Sequence, residues 1–192
     1  GLMCFWGTTI KFMRTVIGTN NVDSSARYGH VNFVRAVHHS LGINRMMNTS
    51  EDITKAKVIL VVGANITVTI PVASLRVKEA IGTYKASAIV VDSMQTNLSK
   101  LASHPIMVKP GTEGLLVKGL VKSVLDQDLV DLDVTGQTPQ AFNALKEAAD
   151  AISLDEVAKQ TGISAEQIND IAKIFAEAPR SIILCGVRCQ NC

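Results

Sequence analysis

Val58-Ile59-Leu60-Val61-Val62-Gly63-Ala64-Asn65 is an uninterrupted apolar, mostly β-branched run that ends in a glycine turn. A short run of this kind is the signature of a strand covered on both faces, as in a parallel sheet. Pro71 follows closely and suits the first turn of a helix, where its missing N–H leaves nothing unpaired. Val72, Leu75, Val77 and Ala80 then recur at helical spacing, and Gly82 is the expected stop. Ala88-Ile89-Val90-Val91 reads as a second covered strand, ending in Asp92. Strand, helix and strand in this order make a βαβ unit with a right-handed crossover, which requires parallel strands.

Outward from this unit the pattern continues. A third strand is expected at 106–108 and a helix over 111–125. Thr138-Pro139 opens another helix to about Ala151. Ser153 with Glu156, and Ser164 with Gln167, have the spacing of capping boxes. Ser181-Ile182-Ile183-Leu184 reads as a returning strand. Upstream, 10–17 is expected to be helical, 18–30 turn-rich and 31–41 helical. The expected fold class is α/β, a Rossmann-like open parallel sheet flanked by helices, with a helical C-terminal half. The expected division is a turn-rich segment over 1–30, leading in from a missing N-terminal part, and a truncated α/β domain over 31–192.

Composition narrows the function. The 192 residues carry 47% hydrophobic and 19% charged residues, enough for a sizeable core and too apolar for a disordered chain. Lys+Arg 19 against Asp+Glu 17 leaves +2, and aromatics are 4%. Neither a basic footprint nor a stacking surface for nucleic acid is present. No apolar run reaches the roughly 18 residues of a membrane span.

A ligand of an open parallel sheet sits at the carboxyl ends of its strands. Here these ends are Gly63-Ala64-Asn65, Asp92-Ser93 and Lys109-Pro110-Gly111-Thr112-Glu113. Glycine lets backbone approach a phosphate, and a strand-end acid accepts from a ribose or base donor. The Gly-x-Gly-x-x-Gly fingerprint is absent, which disfavours ordinary NAD binding. On residue types alone, glycines serving turns and acids capping them account equally well for the pattern.

Other clusters are weaker. His30, His38 and His39 lie near Asp23 and Ser25, but adjacent His38 and His39 point to different helix faces, and no nucleophile elbow exists. Cys185, Cys189 and Cys192 crowd one end while Cys4 stands at the other, short of a metal-ligand set in sequence. The expected metal ligands in this chain are none.

The order of the motifs is more specific than any one of them. Ile17-Gly18-Thr19-Asn20-Asn21-Val22-Asp23-Ser24-Ser25-Ala26-Arg27 comes first. Asp52 through Asn65, Pro71-Val72 with Leu75-Arg76-Val77-Lys78, Val90-Val91-Asp92 and Lys109 through Glu113 follow. Together they resemble the molybdopterin oxidoreductase family, over about residues 11–187. That family includes formate dehydrogenase large subunits and the large iron–sulfur subunit of bacterial NADH–quinone oxidoreductase (complex I).

The resemblance implies a fragment of a longer subunit, with iron–sulfur clusters in the missing N-terminal part. It implies that Gly63, Asn65, Asp92, Gly111, Thr112 and Glu113 are the residues that would help hold molybdopterin guanine dinucleotide. The departures point elsewhere. Formate dehydrogenases place a cysteine or selenocysteine before a histidine as molybdenum ligand, and the matching positions here are Gly29-His30. Ser93-Met94 replaces the usual Pro-Arg. Val68 and Ile70 stand where the family has polar or acidic residues and His or Asn.

The leading expectation is therefore the scaffold domain of a complex-I-type large subunit lacking molybdenum chemistry, with no cofactor in this fragment and no catalytic residue. Its implied partners are other subunits of a respiratory complex, including a flavin-containing NADH-oxidising subunit, at a cytoplasmic site peripheral to the membrane. The alternatives are a formate dehydrogenase-type subunit binding the dinucleotide, with His30 near the substrate, and a non-catalytic interaction module.

Overall fold

The computed structural model describes residues 2–23, 31–42, 48–130 and 139–186. Two compact units emerge, Gly1–Asn44 and Arg45–Cys192.

The first unit is helical where it is described. Helix α1 spans Leu2–Phe12 and runs into a π-helical turn, Met13–Ile17, that ends at Gly18 in the left-handed conformation. The helix thus begins well before Ile10. Helix α2 covers Val31–Leu41, as its pattern predicts. Ser24 to His30 of the expected turn-rich segment, including Ser25 and Gly29, lie outside the described residues.

The second unit is a parallel four-stranded sheet. Its strands are β1 (Val58–Val62), β2 (Ser87–Asp92), β3 (His104–Met107) and β4 (Ser181–Cys185). The spatial order is β3-β2-β1-β4. Leu60 is in register with Ile89 on one side and Ile183 on the other. All five residues of β1 are buried, because β1 has a neighbour on both sides and helices on both faces.

The period-2 geometry of a strand divides its side chains between two cores. Val58, Leu60, Val62, Ile89 and Val91 face one core with α6 (Glu113–Asp126), α8 (Leu154–Thr161) and α9 (Ala165–Ala176). Leu116, Val157 and Ile168 fill it from those helices. Ile59, Val61, Val90 and Ile182 face the other core, with Ile53 of α3 (Ser50–Lys55), Ile66 of α4 (Ile66–Thr69) and Val77 of α5 (Pro71–Gly82). Helix α7 (Pro139–Asp150) precedes α8.

Several boundaries differ from the sequence expectation. The third strand is shifted upstream, to His104–Met107. Helix α6 starts at Glu113 because Gly111 has φ +82, outside the helical region. Helix α5 ends at Gly82 without a left-handed glycine, and Lys85 takes a positive φ instead. Ser164 caps α9 by accepting from the Gln167 N–H at 3.2 Å. Ser153 makes no side-chain cap bond; its backbone carbonyl accepts from the Val157 N–H. At α3 a capping box joins Thr49 and Asp52, with the Thr49 N–H donating to Asp52 Oδ2 at 2.8 Å. The expected cap residue Thr138 lies outside the described residues.

Candidate functional site at the carboxyl edge of the sheet

Because all four strands run the same way, their carboxyl ends share one edge. Backbone hydrogen bonds stitch that edge together. Gly186 N–H donates to Val62 O at 2.9 Å, joining the end of β4 to the end of β1. Gly63 N–H donates to Val91 O at 2.9 Å, joining β1 to β2, and Val108 N–H donates to Asp92 O at 3.1 Å, joining β2 to β3. The chain moves outward from β1 to β3, then crosses back to place β4 on the other side of β1. That reversal makes a switch point between β1 and β4, the place at which open α/β sheets bind ligands beyond their strand ends.

Gly186 lies at this switch point and was not among the expected site residues. A Cβ built on it would lie 2.1 Å from Gly63 O and 2.7 Å from Ala64 Cα. No side chain fits there, so the backbones of the two turns meet directly. No local motif marks Gly186; only the pairing of β4 with β1 brings it to Gly63.

The loop after β3 is a tight turn. Lys109 O accepts from the Thr112 N–H at 3.1 Å and from the Thr112 hydroxyl at 2.7 Å. Pro110 and Gly111 occupy its central positions. A proline followed by a glycine with φ near +80° is the requirement of a type II turn. Lys109 fastens the turn to the end of α8, its N–H donating to Thr161 O at 3.1 Å and its Nζ to Lys159 O at 3.0 Å. A cation suits the carbonyl end of a helix.

The turn delivers Glu113 to the first position of α6, where its side chain is anchored only by burial. The residue is 1% exposed, and neither Glu113 Oε1 nor Oε2 has a hydrogen-bond partner among the described residues. Burying a carboxyl without partners is costly, since desolvation is not offset by new bonds. Such an orphan acceptor suits a ligand that brings N–H donors.

Asp92 is also 1% exposed, and its Oδ1 accepts from the Met94 N–H at 3.1 Å. Asn65 is half-buried, with its Oδ1 accepting from the Thr67 hydroxyl at 2.7 Å. The structure thus gathers Gly63, Asn65, Asp92, Gly111, Thr112 and Glu113 on one edge. Val68 and Ile70, on the same turn as Asn65, are 71% and 55% exposed. His30, Cys189 and Cys192 lie outside the described residues, while Cys185 ends β4 and is exposed. Among the described residues, no group of three His, Cys, Asp or Glu is placed to hold a metal ion, and no helix is long and apolar enough to cross a membrane.

The model of the molybdopterin oxidoreductase family matches residues 6–191. The chain belongs to this family. It is 31% identical over 176 residues to the F420-dependent formate dehydrogenase subunit alpha of Methanocaldococcus jannaschii, covering 91% of the chain and 26% of that protein. It is 29% identical over 177 residues to formate dehydrogenase H of Escherichia coli, covering 92% and 25%. The assimilatory nitrate reductase catalytic subunit of Bacillus subtilis is 30% identical over 168 residues, covering 87% of the chain and 24% of that subunit. The chain therefore spans about a quarter of the length of these relatives. The solved acetylene hydratase from Pelobacter acetylenicus shares the fold, with a TM-score of 0.78 over 96% of the chain and 25% of that structure at 24% identity.

These relatives shift the balance between the readings drawn from sequence. The expected complex-I-type scaffold gains no support from them, and the formate dehydrogenase-type alternative fits better. The expectation of no cofactor in this fragment is likewise unsupported, since membership of the family brings a molybdopterin cofactor into consideration.

Proposed function

We propose that the chain is the dinucleotide-cradling α/β portion of a formate dehydrogenase-type molybdopterin oxidoreductase subunit. Gly63, Asn65, Asp92, Gly111, Thr112 and Glu113 would hold molybdopterin guanine dinucleotide at the carboxyl edge of the sheet. The observation that carries this reading is Glu113, a buried carboxyl whose two oxygens have no hydrogen-bond partner among the described residues. A guanine presents adjacent N–H donors, and two acceptor oxygens match them.

Each residue has a separable task. The direct contact of the Gly63 and Gly186 turns leaves backbone, and no side chain, at the switch point. The Gly111-Thr112 turn sets the start of α6 and so the position of Glu113. Asp92 adds a second acceptor at the end of β2. When bound, the pterin supplies the molybdenum centre for two-electron oxidation or reduction of a small substrate. Residue 29 is glycine and offers that metal no thiolate, so its ligand would come from elsewhere. The partners would be the other subunits of a formate-oxidising complex.

The test is pterin extraction from the full-length protein that contains this chain, joined to formate-dependent dye reduction. The reading expects pterin and guanine nucleotide bound in proportion to protein, and dye reduced when formate is added. Bound pterin without formate activity would leave the cradle and remove the substrate. Protein with no pterin would remove the cradle.

A second reading, the complex-I-type scaffold, draws support from Gly29 and from Val68 and Ile70 in place of polar residues. It expects no pterin and co-purification with a flavin-containing NADH-oxidising subunit.

A further inference from the structure

Asn65 uses its polar groups unevenly. Its backbone carbonyl accepts from the Val68 N–H at 3.0 Å, the Thr69 N–H at 3.1 Å and the Thr69 hydroxyl at 3.1 Å. Its side-chain oxygen does not cap α4 and instead accepts from the Thr67 hydroxyl at 2.7 Å. A side-chain amide has one acceptor oxygen and one NH2 with two donors. With the oxygen engaged, the NH2 is the group left for a ligand, and it makes no hydrogen bond to the described residues. Asn65 stands at the end of β1, beside the switch point and next but one to Gly63.

Resting on the dinucleotide reading above, we infer that Thr67 is a positioning residue. Its hydroxyl fixes the Asn65 amide so that the NH2 serves as donor to an acceptor oxygen of the bound dinucleotide. Without that hydroxyl the amide is free to turn, and oxygen and nitrogen exchange places at little cost. Half of those orientations then set an acceptor against an acceptor. Thr67 is half-buried, lies within the same turn, and needs no contact with the ligand to act.

The test compares variants of the full-length protein by pterin retained per protein over a dilution series, with the unfolding midpoint of each variant taken in parallel. Thr67→Ser keeps the hydroxyl and should retain pterin as the parent does. Thr67→Val keeps the shape and should weaken retention about three- to tenfold, the range for one neutral hydrogen bond. Asn65→Asp keeps an acceptor for Thr67 but removes the donor, and should weaken retention about tenfold or more, the range for leaving a buried partner unpaired. A pair acting as one unit is non-additive, so Thr67→Val should add nothing in an Asn65→Ala background.

Parent-like retention by Asn65→Asp would overturn the inference. So would a further loss from Thr67→Val on Asn65→Ala, or an effect of Thr67→Val confined to the unfolding midpoint. A parent protein that retains no pterin would overturn the dinucleotide reading and this inference with it, which separates that failure from the others.

Discussion

Gly186 and Gly63 are in backbone contact: a Cβ on Gly186 would stand 2.1 Å from Gly63 O. The contact joins the ends of two strands far apart in sequence, and it occurs at the point where the strand order reverses. Backbone atoms cannot move aside as a flexible side chain can.

Gly186→Ala should therefore force the two turns apart. The expected cost is about 2 kcal/mol or more, in the range of overpacking in a well-packed interior. Urea unfolding of the full-length protein checks this through the midpoint. Retention of pterin should fall as well, because the turns at the switch point move apart.

Glu113 sets stability against binding. Replacing it by methionine removes a buried carboxyl with no partner among the described residues and fills the same space with apolar atoms. Cofactor-free protein should gain about 1 kcal/mol or more, since an unsatisfied buried polar group costs roughly 1–3 kcal/mol. The same variant should lose pterin. Calorimetry without cofactor and extraction with it give the two readouts. A variant that lost stability and kept its pterin would contradict both halves.

Leu116 follows Glu113 by one turn of α6 and is fully buried between that helix and the sheet. Leu116→Ala should cost about 2–5 kcal/mol, the range for emptying a core site. Because α6 carries Glu113 at its start, pterin retention should drop with the unfolding midpoint in this variant.

Asp52 should contribute to stability on the alkaline side of its own titration. The Thr49 N–H, then the Thr49 hydroxyl, hold its carboxyl below the usual carboxylate range. A lowered folded value stabilises the fold above the unfolded value of about 3.9, and this contribution is lost as pH falls through the folded value. Asp52→Asn should lower stability at neutral pH and flatten the acid limb below about pH 4. Unfolding midpoints measured from pH 7 down to pH 2 would show whether the limb flattens.

The site was partly readable from the chain. Gly63, Asn65 and Asp92 follow strands whose composition announces them, and Pro110-Gly111 names its own turn. Glu113 was readable as a residue but not as an orphan, because its lack of partners depends on what α6 packs against. Thr49 and Asp52 have capping-box spacing and form the box, while Ser153 has that spacing and forms no side-chain cap. A cap pattern competes with water at an exposed helix end, so spacing permits the bond without securing it.

By itself the sequence determined β1, β2 and the helix between them. Unbroken β-branched runs and a helical period are local signals, set by which side chains can be covered within a few residues. It also determined the family, through motifs in order. Only the tertiary structure decided that β4 returns beside β1, that Gly186 meets Gly63, and that Glu113 is buried with no partner among the described residues. These depend on contacts between segments far apart in the chain, where hydrophobic burial chooses the neighbour and no short pattern records the choice.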